Sequence, residues 1–317
     1  MDELSKGNGL PSAVRIREVG PRDGFQNEPE TIPTARKVEL IDALARTGCK
    51  RLEVTSFVRA DVIPQLADAA DVLARVDVPR EVSMSVLVPN ERGLDNALIL
   101  LEAHTGARPA FDEINVFMSA SETHNRKNVN RSIAESLTGL EAVLGRAREA
   151  GLRCEGVIST SFGCPYEGHV PPERVLEIAT RLRDAGAEEI GFGDTTGMAN
   201  PIQVREVFVD WKDALAEVEL TAHFHNTRGQ GLANVLAALD AGVESFESSF
   251  GELGGCPVPA GATGNIASED LVSMLHEMGI ATGIDLSALI ACAARAQEIL
   301  SRPLGSHTLV AGAVDWR

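Results

Sequence analysis

A strand-then-helix alternation is the feature that most restricts this chain. Short runs rich in β-branched and apolar residues recur at 15–20, 51–57, 82–88, 112–120, 153–160, 188–194, 220–226 and 244–250. Stretches rich in alanine, leucine and charge follow them. At 34–48, 132–151, 171–186, 200–216 and 231–242, apolar residues mostly fall at i, i+3, i+4 and i+7, the helical period. Gly48, Gly151, Gly186 and Gly242 stand where such helices should stop. Eight such units predict a (β/α)8 TIM barrel. A doubly wound open sheet is the main competitor. The count of eight favours the barrel, as does the lack of Gly-x-Gly-x-x-Gly after the first strand. The whole chain, 1–317, reads as one catalytic domain. The barrel covers about 14–265, and extra C-terminal helices within about 266–305 cover it.

Composition narrows the function class. With 46 Asp and Glu against 29 Lys and Arg, the net charge is −17, which argues against a nucleic-acid partner. No apolar run reaches membrane-spanning length, and the start, MDELSKGNGLPS, has no signal-peptide core. Five scattered cysteines without a C-x-x-C pair read as reduced thiols, so a cytoplasmic location is expected. Aromatics are only 4% of residues, so Ala, Val and Leu must fill most of the core.

In such a barrel, reactive groups collect at the C-terminal ends of the strands. Those ends here are polar. The first runs into GPRDGFQNE, the second carries Glu53, and the sixth ends in GFGDTTG with Asp194. The seventh ends in HFHNTRG and the eighth in GELGGCPVPAGATGN. Strand side chains alternate faces, so His223 and His225 point the same way. Two imidazoles joined by a carboxylate suit one divalent ion; the bland alternative is a pair of satisfied core histidines. Asp23, at the end of the first strand, is the nearest candidate carboxylate, and Asn265 could add an amide oxygen. Such a donor set suits Mg²⁺, Mn²⁺ or another divalent ion.

The neighbouring residues each have two readings. Arg22 is either a surface ion pair with Asp23 or a fixed positive charge for a carbonyl or enolate oxygen. Glu53, mid-strand, should pair with Arg22 or another donor. Asp194 is either a helix cap or a group facing substrate. Cys256, in a glycine-rich loop, is either an idle thiol or a proton donor at a lid. SFGCPYEG is either a simple turn, with Cys164 idle, or part of the site.

Taken together, EVGPRDGFQNE, FGCPYEG, GDTTGMANP, HFHNTRGQGLAN and GELGGCPVPAGATGNIASEDLV resemble the hydroxymethylglutaryl-CoA lyase family, in order and over about 14–286. That resemblance implies a metal-dependent barrel acting on an acyl-CoA, with metal ligands Asp23, His223, His225 and Asn265. It implies Arg22 and Glu53 as polar partners and Cys256 as a catalytic thiol. SASETHNRKN is similar to a segment lining the acyl-CoA pocket, which implies contacts from Lys127 and Asn128. In the mitochondrial branch an Asp follows the second His and a Tyr comes two positions later; here these are Asn226 and Arg228. Val258 replaces a loop Tyr.

The implied reaction is retro-Claisen C2–C3 cleavage of 3-hydroxy-3-methylglutaryl-CoA to acetyl-CoA and acetoacetate, as in leucine degradation. Arg22 would face the thioester oxygen, His223 or Asp194 would take the hydroxyl proton, and Cys256 would protonate C2. Alternatives are a lyase for citramalyl-CoA or a longer branched hydroxyglutaryl-CoA, a condensing enzyme of the isopropylmalate or homocitrate synthase type, and a non-catalytic metal- or CoA-binding barrel. A homodimer is the default expectation for the assembly.

Overall fold

Eight parallel strands pair in chain order and the first closes on the last. They are β1 (Arg15–Glu18), β2 (Arg51–Ser56), β3 (Ser83–Leu87), β4 (Glu113–Ser119), β5 (Arg153–Ser159), β6 (Glu189–Asp194), β7 (Glu219–Phe224) and β8 (Ser245–Ser248). The structure is a computed structural model that describes residues 9–255 and 263–316. Helices lie between the strands, so the architecture is the TIM barrel expected from the alternation. They are α1 (Thr34–Leu44), α2 (Ala69–Arg75), α3 (Glu91–Ala103), α4 (Glu122–Val129), α5 (Ile133–Glu149), α6 (Pro172–Ala185), α7 (Pro201–Ala214) and α8 (Gly231–Asp240). The tail adds α9 (Ser268–Glu277), α10 (Leu286–Leu300) and α11 (His307–Ala311). Among the described residues, no helix is long and apolar enough to cross a membrane.

The sequence pattern missed α2, α3, α4 and α11, for physical reasons. Two are short, at 7 and 5 residues, below the length at which a period is visible. The α4 segment, ETHNRKNV, has almost no apolar residues to show a face. In α3 the run ALILL spreads apolar groups around the helix and leaves Ile99 64% exposed. Its start is nonetheless marked, because the Asn90 side chain accepts a hydrogen bond from Gly93 N. Helix α5 opens with a capping box from Ser132 and Glu135.

Alternation along the strands separates two cores. Outward residues such as Leu52, Val54, Ile114, Val116, Ile190 and Phe192 are buried against the helices. There Phe192 stacks on Trp211 of α7 with ring centroids 4.4 Å apart. The inside of the barrel is different. Barrels of this kind usually fill it with layers of branched apolar side chains. Here a buried ionic layer sits near the N-terminal ends: Arg17, Arg51, Glu113, Glu155, Glu189 and Glu247. The Arg17 guanidinium lies 2.9 Å from Glu247, 3.1 Å from Glu189, 3.3 Å from Glu113, and closest of all to Glu155. Arg51 sits beside it in register and bonds Glu113 and Glu189. The expectation that small apolar residues fill the core thus holds for the sheet–helix layer and fails for the barrel interior. There, cations and carboxylates pair instead, although Arg17 Nε, Arg51 Nε and Glu155 Oε1 are left without hydrogen-bond partners.

Candidate active site and metal centre

The mouth of the barrel is assembled from strand ends and the turns after them. The chain leaves β1 at Glu18, two residues sooner than expected, and enters a wide π-helical turn over Gly20–Gly24. This turn aims Arg22 and Asp23 inward. Arg22 Nη1 lies 2.7 Å from Asp23 Oδ1 and Nη2 lies 2.7 Å from Glu53 Oε2, so Glu53 has the partner its burial demanded. Glu53 also accepts a hydrogen bond from the Asn115 amide. Burial pushes the Glu53 carboxyl above its usual range even so.

At the end of β7, His223 and His225 share a face, and their Nε2 atoms are 3.1 Å apart. One donor atom each from Asp23, His223 and His225 lies within 4.8 Å of the others. That span is close to what two ligands on opposite sides of one ion require, at about 2.0–2.3 Å each. Asn265 is brought in by a backbone bridge to His225. Its Nδ2 donates to Asp23 Oδ2 at 2.7 Å and to the Leu253 carbonyl at 3.0 Å. Its Oδ1 is buried with no hydrogen-bond partner. A buried amide oxygen without a donor, beside a carboxylate and two converging imidazoles, fits a divalent cation.

The electrostatics are mixed. Burial works against the charge on Asp23, but Arg22 and then His223 outweigh it and hold the carboxyl below its usual range. Burial lowers His223, yet the Glu247 hydrogen bond and charge raise it overall. His225 has no such partner; burial and the neighbouring His223 pull it down to about 3. Its neutral imidazole is the form a metal takes.

Asp194 closes β6. Its Oδ1 accepts hydrogen bonds from Met198 N and Ala199 N at 2.8 and 3.0 Å, while Oδ2 is buried without a partner. Burial pushes this carboxyl up to about 7. It does not cap α7, since Asn200 does. So the helix-cap alternative is corrected: Asp194 ties its own loop and keeps one oxygen unpaired.

Other residues stand apart from this centre. Lys127 and Asn128 are exposed on α4, with Lys127 Nζ 4.9 Å above the Tyr166 ring; no described hydrogen bond or ion pair joins them to the metal triad. The Cys164–Gly168 segment is a tight turn closed by reciprocal backbone bonds, and the Cys164 thiol donates to Ser121 Oγ. Asn226 donates to Glu252 at 3.0 Å, and Arg228 donates to the carbonyls of Thr196 and Gly197. Both residues therefore bind loops together. Cys256 and Val258 lie outside the described residues.

The two ends of the Cys256 segment meet at a neck. Gly254 and Gly264 both have positive φ, and a Cβ on Gly264 would overlap the Gly254 carbonyl. Asn265 N donates to that carbonyl at 3.2 Å.

Sequence reasoning missed Glu247 and Asn115. Glu247 lies directly opposite His223 in the β7–β8 ladder, and its Oε2 is 2.9 Å from His223 Nδ1. The period-two spacing of β8 carried that signal, but only once its inward face was known.

Comparison with known proteins agrees with this geometry. The HMGL-like family model matches residues 13–295. The chain is 45% identical over 299 residues to the hydroxymethylglutaryl-CoA lyase YngG of Bacillus subtilis strain 168, covering 94% of this chain and 97% of that one. It is 43% identical over 281 residues to the mitochondrial hydroxymethylglutaryl-CoA lyase of Rattus norvegicus, covering 89% and 84%. An HMG-CoA lyase structure from Acinetobacter baumannii, in complex with coenzyme A and 3-methylmalate, superposes with a TM-score of 0.90 at 37% identity, over 96% of this chain and 97% of that one. A likeness that runs through every strand and turn building the barrel mouth makes this chain a member of the HMGL-like family.

Proposed function

We infer that the chain is a carbon–carbon lyase that cleaves 3-hydroxy-3-methylglutaryl-CoA to acetyl-CoA and acetoacetate. The observation that carries this reading is the convergence of Asp23, His223 and His225 beside the buried Arg22–Glu53 pair. The 45% identity to a hydroxymethylglutaryl-CoA lyase supports the substrate, and the coenzyme A bound to a relative supports an acyl-CoA.

Asp23, His223, His225 and Asn265 would hold a divalent ion, with Mg²⁺ or Mn²⁺ the proposed identities. Such an ion, when bound, orients the C3 hydroxyl and lowers its pKa. His223 faces Glu247 with Nδ1 and would lend Nε2 to that ion, which would leave it no lone pair for a proton. The base is therefore Asp194, whose buried carboxyl sits near 7 and whose Oδ2 is unpartnered. As the hydroxyl proton passes to Asp194, the C2–C3 bond breaks. The C3 oxygen becomes the ketone of acetoacetate, and the bonding pair moves to C2 as the enolate of acetyl-CoA. Arg22, held against Glu53, would stabilise the enolate oxygen. Cys256 would deliver the proton to C2.

The Asn226, Arg228 and Val258 differences are the grounds for another hydroxyacyl-CoA. The Asn226 and Arg228 side chains are engaged with loop partners, which weakens that alternative, and Val258 lies outside the described residues. The test is release of acetyl-CoA and acetoacetate from the purified chain with Mg²⁺ or Mn²⁺ and a thiol reductant. Metal-dependent release of both is expected. No release, with EDTA making no difference, would overturn the assignment, and citramalyl-CoA would be tried next.

A further inference from the structure

Glu247 divides its two oxygens between different partners. Oε1 is 2.9 Å from Arg17 Nη1, and Oε2 is 2.9 Å from His223 Nδ1. A guanidinium can only donate, so Oε1 accepts from it. An ionised carboxylate can only accept, so the ring nitrogen facing Oε2 carries a proton. In the neutral ring the proton on Nδ1 leaves the lone pair on Nε2, and Nε2 is the atom turned toward His225 and away from the ladder partner.

Neither side chain of this relay is free to swing. Glu247 is 3% exposed and Arg17 is 1% exposed. Arg17 is also gripped by Glu113, Glu155 and Glu189, which stand on three other strands. His225 has nothing comparable, for its Nδ1 is buried and unpartnered.

We propose that Glu247, braced by Arg17, is a positioning residue that sets the tautomer and ring angle of His223, so that Nε2 is presented as a lone pair to a divalent cation. This rests on the metal reading above. It gives the ionic layer a task in the site: the layer is the fixed base against which one metal ligand is aligned. Ligating histidines generally owe their orientation to a partner on the far ring nitrogen.

Glu247→Gln gives an unusually direct test, because it keeps volume and reverses one hydrogen bond. Arg17 would still require the amide oxygen. The amide NH2 would then face Nδ1 and donate to it, which moves the imidazole proton to Nε2. Full-length protein labelled with ¹⁵N-histidine, free of metal and in alkaline buffer, reports the tautomer by two-bond ¹H–¹⁵N correlation. Mn²⁺ titration followed by EPR reports affinity. The expected results are Nδ1–H for wild type and Nε2–H for Glu247→Gln, with Mn²⁺ affinity down about 10- to 100-fold. Glu247→Asp, which keeps the carboxylate, should retain Nδ1–H with a smaller loss. Wild type found as Nε2–H would overturn the proposal without any variant. So would Glu247→Gln with an unchanged tautomer, whether or not its affinity fell. If wild type bound no Mn²⁺ at all, the metal reading would fall, and the spectra would still decide the role of Glu247.

Discussion

Replacing Arg17 by Met should expose how the barrel interior is held. The guanidinium is 1% exposed and is surrounded by Glu113, Glu155, Glu189 and Glu247. Met fills much of the volume but leaves those carboxylates with Arg51 as their main buried cation. Breaking one buried ion pair by removing a single partner costs about 3–5 kcal/mol, because the remaining charge is uncompensated. Unfolding entropy of about 2.1 cal/mol/K per residue gives about 0.7 kcal/mol/K for a chain of this length. The Tm should then fall by about 4–8 °C at neutral pH.

The pH dependence gives the sharper check. In the wild type, burial opposes the charges, but the arginines hold Glu113 and Glu189 below their usual range. Their stabilisation is present above the unfolded-state value of about 4.3 and is lost as pH falls through the lowered folded values. Without Arg17, burial dominates and the folded values rise. The variant is then favoured at low pH and loses stability as pH increases through those raised values. The gap between the two proteins should be widest near pH 8 and narrow toward about pH 5. Urea unfolding across that range measures it. A gap below about 1 kcal/mol at neutral pH, or one that does not change with pH, would refute the reasoning.

Three further outcomes are expected. His225→Ala should abolish tight Mn²⁺ binding in a calorimetric titration; stoichiometric binding at wild-type affinity would remove His225 from the ligand set. Cys256→Ser should leave Mn²⁺ binding intact and lower turnover by about two to three orders of magnitude, by analogy with loss of other positioned proton donors; unchanged kcat would take the thiol out of the reaction. Asp194→Asn keeps an acceptor for Met198 N and Ala199 N and removes a buried ionisation that sits near 7. The wild-type carboxyl favours the folded state below the unfolded value and loses that advantage as pH rises through 7. The metal-free variant should therefore match wild type near pH 4 and exceed it above pH 7, by at most ~4 kcal/mol, while cleavage falls sharply. Equal stability at both pH values would count against this account of Asp194.

The strands were legible because each is a short apolar run between breakers; seven fall within the expected segments, and β7 begins one residue early, at Glu219. The local part of the site was legible too. A His-x-His pair on a strand, and Arg22–Asp23 in the turn after another, need only strand periodicity and barrel topology to meet. The ionic layer was not legible. Arg17, Glu113, Glu155 and Glu247 lie far apart in the chain, and the alternation along each strand marks a polar face but leaves ambiguous whether that face is the barrel interior and which of its residues meet. The same ambiguity hid Glu247 as the neighbour of His223. Lys127 and Asn128 stand apart from this reasoning: the resemblance of their segment implies acyl-CoA contacts, and the structure places both side chains exposed on α4.

The neck at Gly254 and Gly264 has a consequence for how such barrels diversify. Asn265 closes it through its backbone N–H and, through its side chain, reaches Asp23. The separation of the two ends is thereby set by the barrel and not by what lies between them. Changes in the connection between Gly254 and Gly264 that keep Cys256 would then leave the register of Asn265 as it is. Such a connection could vary among relatives without moving the Asn265 side chain away from Asp23.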